Sequence, residues 1–177
     1  MLIRFSVGNF LSFKDEQFFS MIAGKSRQHP DHIIKPQKKR GIPLLKTGVI
    51  YGANASGKSN FVKAMKFARD IILTGTEKFE EIPVKPYKLD TDQIKRPSSF
   101  EFEFTTETKN YAYGFTLNAD EVLEEWLFEI DKEKEKPLFE RKKKGEDHKY
   151  DFSGIVFKNQ EEKDFLEFVA KGTRKNQ

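Results

Sequence analysis

Eight residues, Gly52 to Ser59, constrain the fold of this 177-residue chain more than any other segment. Their sequence, Gly-Ala-Asn-Ala-Ser-Gly-Lys-Ser, fits the pattern G-x-x-x-x-G-K-[ST], a loop that joins a strand to a helix and surrounds the phosphates of a nucleoside triphosphate. An apolar run before the loop predicts a buried strand, and helical spacing after it predicts a helix that stops at Thr74-Gly75. The strand residues are Leu44, Leu45, Val49, Ile50 and Tyr51, and the helix residues are Phe61, Met65, Ala68 and Ile72.

Each position of the loop has a physical task. Gly52 and Gly57 allow a tight turn and a close approach of the backbone to phosphate. The free N–H groups of the loop and of the helix N-terminus favour an anion. Lys58 is predicted to act as the catalytic cation on the β- and γ-phosphates, and the Ser59 hydroxyl to ligate Mg²⁺. The predicted nucleotide contacts of the motif are Gly52, Ala53, Asn54, Ala55, Ser56, Gly57, Lys58 and Ser59.

Composition limits the class of protein. Charged residues make up 34% of the chain and its mean hydropathy is −0.69, so we expect a polar surface and no membrane-spanning segment. The N-terminus lacks the pattern of a secretion signal, and the absence of cysteine agrees with a reducing cytoplasm. We therefore expect a soluble cytoplasmic protein with one domain, or part of a larger one. The net charge of +4 permits a nucleic-acid partner without requiring one.

The order of the patterns predicts a mixed α/β fold in which the strand-loop-helix unit is combined with an antiparallel β-subdomain. Residues 1–76 contain a hairpin over residues 1–23, a polar loop over 24–41 and the phosphate-binding unit. An irregular, proline-punctuated stretch over 77–96 precedes the strands of the 77–153 block. Residues 154–177 contain a helix with Asn159 and Glu162 at its start and Gly172 past its end, and Phe165, Phe168 and Val169 lie on one face of it. The whole of 1–177 is predicted to form one nucleotide-binding lobe.

Aromatic residues alternate with polar ones in two consecutive segments. Phe100, Phe102 and Phe104 predict one strand, and Tyr111, Tyr113, Phe115 and Leu117 predict its hairpin partner. The stripe suits a hydrophobic core better than a base-stacking platform, because glutamates are interleaved with it. The segment 121–131 suits either a helix or a strand, and its position between strands favours a strand; a charged strand follows over 138–144.

Two features of the polar loop are compatible either with an ordinary surface loop or with a binding site. His29 and His32 have the spacing of metal ligands, but Pro30 opposes a helix there and no third ligand is at suitable spacing. The basic run from Lys35 to Arg40 predicts either a solvated loop or a nucleic-acid contact.

An acidic residue at the end of an apolar strand, which a P-loop ATPase needs for its Mg²⁺ shell, is missing after residue 60. The nearest candidates, Asp131 and Glu129, lie in the amphipathic antiparallel region. The simplest interpretation is that these residues are the N-terminal portion of a longer ATPase.

The segment Ile3–Lys14, the loop followed by Asn60, and the antiparallel region after it resemble the N-terminal lobe of ABC-type ATPase heads. The resemblance is closest to the RecF- and SMC-like branch and its OLD-like bacterial ATPases, several of which serve in phage defence. It implies ATP as the nucleotide, with Ser12, Lys14 and Asn60 as further contacts. It also implies that two heads form a homodimer around ATP, with a Ser-Gly-Gly signature loop that this chain lacks.

Three other classes of nucleotide-binding protein share the phosphate-binding loop. A GTPase needs Asn-Lys-x-Asp, which is absent, and Asp151-Phe-Ser-Gly154 does not end an apolar strand. A small-molecule kinase needs acceptor and lid helices where this chain has strands. A module that binds ATP only as an assembly switch stays open, because it needs no catalytic acid.

Overall fold

A seven-stranded antiparallel sheet with the order β2-β1-β5-β6-β7-β8-β9 forms the body of the chain. The structure, a computed structural model, describes residues 1–26, 28–36, 41–77, 80–131 and 134–177. Its strands are β1 (Leu2–Gly8), β2 (Gln17–Ser20), β3 (Ile33–Ile34), β4 (Leu44–Leu45), β5 (Ser98–Thr105), β6 (Asn110–Leu117), β7 (Val122–Asp131), β8 (Lys134–Lys144) and β9 (Asp147–Asp151). The helices are α1 (Lys58–Thr74), α2 (Thr91–Ile94) and α3 (Gln160–Gly172), with a 3-10 turn at Pro30–His32.

The predicted strand pairings of the sheet are confirmed. β1 pairs with β2, and β5 pairs with β6 so that Phe100 lies opposite Phe115 and Phe102 opposite Tyr113. The ambiguous segment after residue 121 is a strand, β7, paired with β6 and β8. Because side chains alternate between the faces of a strand, this register places the aromatic stripe on one side of the sheet.

Helix α1 packs on the aromatic face. Its buried residues Phe61, Ala64 and Ala68 join Phe5 and Phe100 in the core. The Phe61 ring meets Phe5 edge-on at 5.4 Å between ring centroids, a favoured arrangement of aromatic pairs. The interpretation of the stripe as core is confirmed, and this packing holds the start of α1 against the sheet.

The predicted buried strand before the phosphate-binding loop is wrong in its second half. Leu44 and Leu45 form the short strand β4 beside β3, whereas Val49, Ile50 and Tyr51 are 75%, 42% and 90% exposed and outside any strand. A strand needs a hydrogen-bonding neighbour. In the described part of the chain, no strand pairs with residues 48–51.

Smaller differences concern the loops and α3. The 24–41 loop includes β3 and the 3-10 turn, and the irregular stretch over 77–96 includes the short helix α2 with Asp90 as its N-cap. Gly172 is the last residue of α3 rather than the residue past it. Phe165, Phe168 and Val169, predicted to form one apolar face, are exposed, and the only buried residue of α3 is Ala170. An apolar stripe is buried only where another surface meets it.

Candidate nucleotide site

The phosphate-binding loop ends in a helix N-terminus that no side chain caps. Gly57 precedes α1 with φ 93 and without a side-chain capping bond, whereas at α3 the Asn159 side chain accepts a hydrogen bond from the Glu162 N–H. The first N–H groups of a helix have no partner within the helix. Residues 52–56 are exposed. The start of α1 therefore presents donors and the positive end of the helix dipole toward an open loop.

Lys58 reaches back across the loop. Its Nζ donates hydrogen bonds to the carbonyl oxygens of Gly52 at 2.8 Å and of Ala53 at 2.6 Å. The ammonium group is thus held at the first two residues of the loop. A compact cation with three donors is suited to phosphate oxygens at this position.

Ser12 is brought to the loop from a distant part of the sequence. Its Oγ accepts a hydrogen bond from Asn60 Nδ2 at 3.0 Å. A Cβ built on Gly57 would lie 3.0 Å from the same Oγ, so Gly57 is required both for its positive φ and for this close approach. Two contacts predicted from the resemblance, Ser12 and Asn60, therefore adjoin the predicted phosphate-binding residues.

Lys14 points to a different partner. Its Nζ lies 2.8 Å from the Asp90 carboxylate, and this hydrogen-bonded pairing raises the pKa of Lys14 and lowers the pKa of Asp90. Asp90 also accepts a hydrogen bond from the Asp92 N–H as the N-cap of α2. Asp90 was not predicted from the sequence, although aspartate is one of the residues preferred at the N-cap of a helix.

Ser59 is the candidate metal ligand. Its side chain is exposed in the first turn of α1, next to Lys58, and a hydroxyl oxygen belongs to the hard ligands that Mg²⁺ prefers. The donor type therefore fits Mg²⁺ held jointly with phosphate oxygens. Within the described ranges, no group of three or more histidine, cysteine, aspartate or glutamate side chains is placed to hold a metal.

The acidic residues proposed from sequence lie away from this site. Asp131 ends β7 near the last residue of β5 and the first residue of β6, which is also the end of the sheet where β1 begins. The loop with Ser12 follows the other end of β1, about 20 Å away for a strand of this length. Glu129 forms an ion pair with Lys109 at 2.7 Å at the same distant end of the sheet. Asp131 and Glu129 are therefore wrong as candidates for the catalytic acid of this loop.

The histidine pair and the basic run both belong to the 24–41 loop. The rings of His29 and His32 lie 5.5 Å apart, and His32 approaches Asp31 at 3.3 Å. Among the described residues, these three are not placed together to hold a metal. Residues 37–40 of the basic run lie outside the described residues. No described helix is long and apolar enough to cross a membrane.

Comparison with known proteins agrees with the loop geometry. The chain matches the family described as "AAA domain, putative AbiEii toxin, Type IV TA system" over residues 49–153, which is more than half of its length. No curated protein and no solved structure matches the chain. The matched region begins just before the phosphate-binding loop and continues past β9. The chain therefore belongs to this family of P-loop, ATPase-like AAA domains.

Proposed function

We propose that the chain binds Mg-ATP at residues 52–60 and serves as the nucleotide-binding lobe of an ABC-type ATPase head. The observation that carries this proposal is the uncapped start of α1 beneath a loop whose Lys58 Nζ lies against the Gly52 and Ala53 carbonyls. Donors and a cation converge on one exposed loop, which is the arrangement that polyphosphate requires. The family match supports ATP as the nucleotide.

The residues of the loop have separate roles in this proposal. Backbone N–H groups at the start of α1 receive the β-phosphate, and Lys58 exchanges its carbonyl partners for phosphate oxygens. Ser59 contributes one oxygen ligand to Mg²⁺, which neutralises the charge that develops on the phosphates during transfer. Ser12 and Asn60 close one side of the loop, while Lys14 stays paired with Asp90 at the rim.

The assignment to an ABC-type head has its own support. Val49, Ile50 and Tyr51 are an apolar segment that directly precedes the loop and is exposed among the described residues. We propose that a strand from outside these residues pairs with this segment and supplies the acidic group. In the complete protein, two heads then form an ATP-dependent homodimer. Sedimentation with non-hydrolysable ATP tests the dimer.

A role in defence in the cytoplasm is a further part of the proposal. Its support is the description of the matching family, which names a toxin of a type IV system. We include a nucleic-acid partner in the proposal because the run from Lys35 to Arg40 is basic.

The direct test of the site is a titration with Mg-ATP. Lys58→Ala should weaken binding about tenfold or more, because a charge-assisted hydrogen bond contributes about 1.5–3 kcal/mol. Lys63→Ala is the matched control, since Lys63 is an exposed lysine on the same helix. Circular dichroism of both variants checks that α1 remains folded. Equal affinities of wild type and Lys58→Ala would overturn the proposed site.

A module that binds ATP without hydrolysing it is the second candidate. It is favoured by the position of Asp131 and Glu129 at the opposite end of the sheet from the loop, where neither carboxylate can join a Mg²⁺ shell at Ser59. The two candidates differ in steady-state phosphate release by the complete protein, where an ATPase head should hydrolyse ATP and a binding module should not. We expect the 177-residue chain to bind ATP and turn it over very slowly, and fast turnover would exclude the non-hydrolysing module.

A further inference from the structure

Asn9 lies in the turn after β1 and makes an unusual number of hydrogen bonds for one side chain. It is buried, with 6% exposure, and has φ 48. Its Nδ2 lies 2.8 Å from the Gln93 and Arg96 carbonyl oxygens and 3.2 Å from that of Pro97. Its Oδ1 accepts from the Tyr87 N–H at 3.1 Å. The amide thus uses both its donor and its acceptor on one segment.

This segment, residues 85–98, is here called the brace. Two further contacts fasten it to the turn after β1. The Leu11 N–H donates to the Lys85 carbonyl at 2.8 Å, and the Ser98 hydroxyl donates to the Asn9 carbonyl at 2.6 Å. Lys14 and Asp90 add an ion pair at the surface. The turn over residues 9–14 is therefore held by the brace along its length, with Asn9 as the buried contact.

The other side of the same turn contacts the phosphate-binding unit. Ser12 accepts from Asn60 and adjoins Gly57, and the Phe13 ring packs edge-on against Phe61 at 6.0 Å between centroids. Phe10 and Phe13 bond each other through their backbones at 3.0 and 2.9 Å, which makes the turn compact. Asn9 and Ser12 thus belong to one compact turn, which contacts the brace on one side and the phosphate-binding unit on the other.

We propose that Asn9 is a positioning residue for the nucleotide site, acting through Ser12. This proposal rests on the proposed function, since it concerns the same loop. Asparagine meets two requirements together: it tolerates positive φ, and it offers a donor to carbonyls and an acceptor to an N–H. Aspartate would bring a carboxylate against three carbonyl oxygens, and glycine would keep the turn but lose every side-chain bond.

A double-mutant cycle tests the proposal with a fluorescent ATP analogue and Mg²⁺. Asn9→Gly should weaken binding about fivefold, because Ser12 is no longer held against Asn60 and Gly57. In a Ser12→Ala background the same substitution should change binding less than about twofold, because coupled residues are not additive. Equal effects in both backgrounds would show that Asn9 does not act through Ser12 and would overturn the proposal.

Asn176→Gly is the matched control, because Asn176 is also buried and donates to the Glu77 and Glu80 carbonyls away from the loop. Both variants should lose stability, but only Asn9→Gly should lose affinity. Ser98→Ala removes one bond to Asn9 without changing the turn residue, and it should weaken binding in the same direction if Asn9→Gly does not fold. Unchanged affinity in Ser98→Ala would then count against the proposal.

Hydrogen exchange without nucleotide gives a readout independent of ATP. In Asn9→Gly the amides of residues 10–13 should exchange faster than in wild type, while those of β7 and β8 should not. Unchanged exchange there would overturn the positioning role. If wild type itself fails to bind the ATP analogue, the proposed function fails, and with it the role of Asn9 at a nucleotide site.

Discussion

The guanidinium group of Arg141 lies 3.5 Å from the Glu125 carboxylate on the core side of the sheet, and the Arg141 side chain has no exposed surface. The same guanidinium group donates to the carbonyl oxygens of Arg174 at 2.9 Å and of Lys175 at 3.3 Å, and to that of Gln177. Glu125 also accepts a hydrogen bond from the Tyr113 hydroxyl at 2.7 Å. One buried cation thus connects β7 and β8 to the last residues of the chain.

Arg141→Met should destabilise the fold by about 3–5 kcal/mol, because it leaves a carboxylate and several carbonyl groups without their cation. Urea unfolding followed by tryptophan fluorescence measures the loss. Lys142→Ala on the same strand should cost less than about 1 kcal/mol, since its pair with Glu140 is at the surface. Equal stability of the two variants would contradict a structural role of Arg141.

Ser59→Ala should weaken ATP binding by roughly fivefold in excess Mg²⁺, and much less when the metal is chelated, because the variant removes a metal ligand rather than a phosphate contact. Titrations with and without EDTA measure the difference. Ser56→Ala in the same loop should show no dependence on the metal. A defect of Ser59→Ala that is equal with and without Mg²⁺ would exclude metal ligation by this hydroxyl.

Ala55→Gly should stabilise the chain by about 0.5–1 kcal/mol. Ala55 has φ 62, a left-handed conformation that costs a residue with a Cβ about 1–2 kcal/mol, while glycine gains some unfolded-state entropy. Ala53→Gly is the control, because Ala53 does not have positive φ and should lose stability. Thermal unfolding of the two variants should therefore shift in opposite directions, and a loss of stability in Ala55→Gly would contradict the strain.

Glu101→Gln should stabilise the chain at pH 7 and have no such effect near pH 4. Burial raises the pKa of Glu101, whose carboxylate accepts a hydrogen bond from Trp126 Nε1 at 2.7 Å. A raised folded-state pKa contributes stability that is full below the ordinary value of 4.5 and is lost as the pH rises through the folded value. Glutamine keeps an acceptor for Trp126 and carries no charge.

Denaturant unfolding of Glu101→Gln from pH 4 to pH 7 measures this dependence. Glu124→Gln, at an exposed position of β7, is the control and should follow wild type across the range. A constant difference between Glu101→Gln and wild type at every pH would show that burial of the carboxylate does not cause the effect.

Features that depend on residues a few positions apart were predicted from the sequence. The alternation in β5 and β6, the helix after the phosphate-binding loop, and the cap of α3 by Asn159 all belong to this group. Alternation and capping act over one to four residues, so they can be predicted from the sequence without knowledge of the fold. The exposure of Val49, Ile50 and Tyr51 was not predicted, because burial depends on a second surface.

The candidate site divides in the same way. The motif Gly52 to Ser59 identified the phosphate-binding loop by itself, because its glycines, lysine and serine act within one turn of backbone. Only the tertiary structure decided that Ser12 adjoins Asn60 and that Lys14 pairs with Asp90. It also decided that Asn9 holds the brace and that Asp131 lies at the far end of the sheet. These relations join residues 48 or more positions apart along the chain. The contacts of Asn9 and Lys14 follow from the pairing of β1 with β5, which brings the turn after β1 beside the brace and which no local pattern encodes.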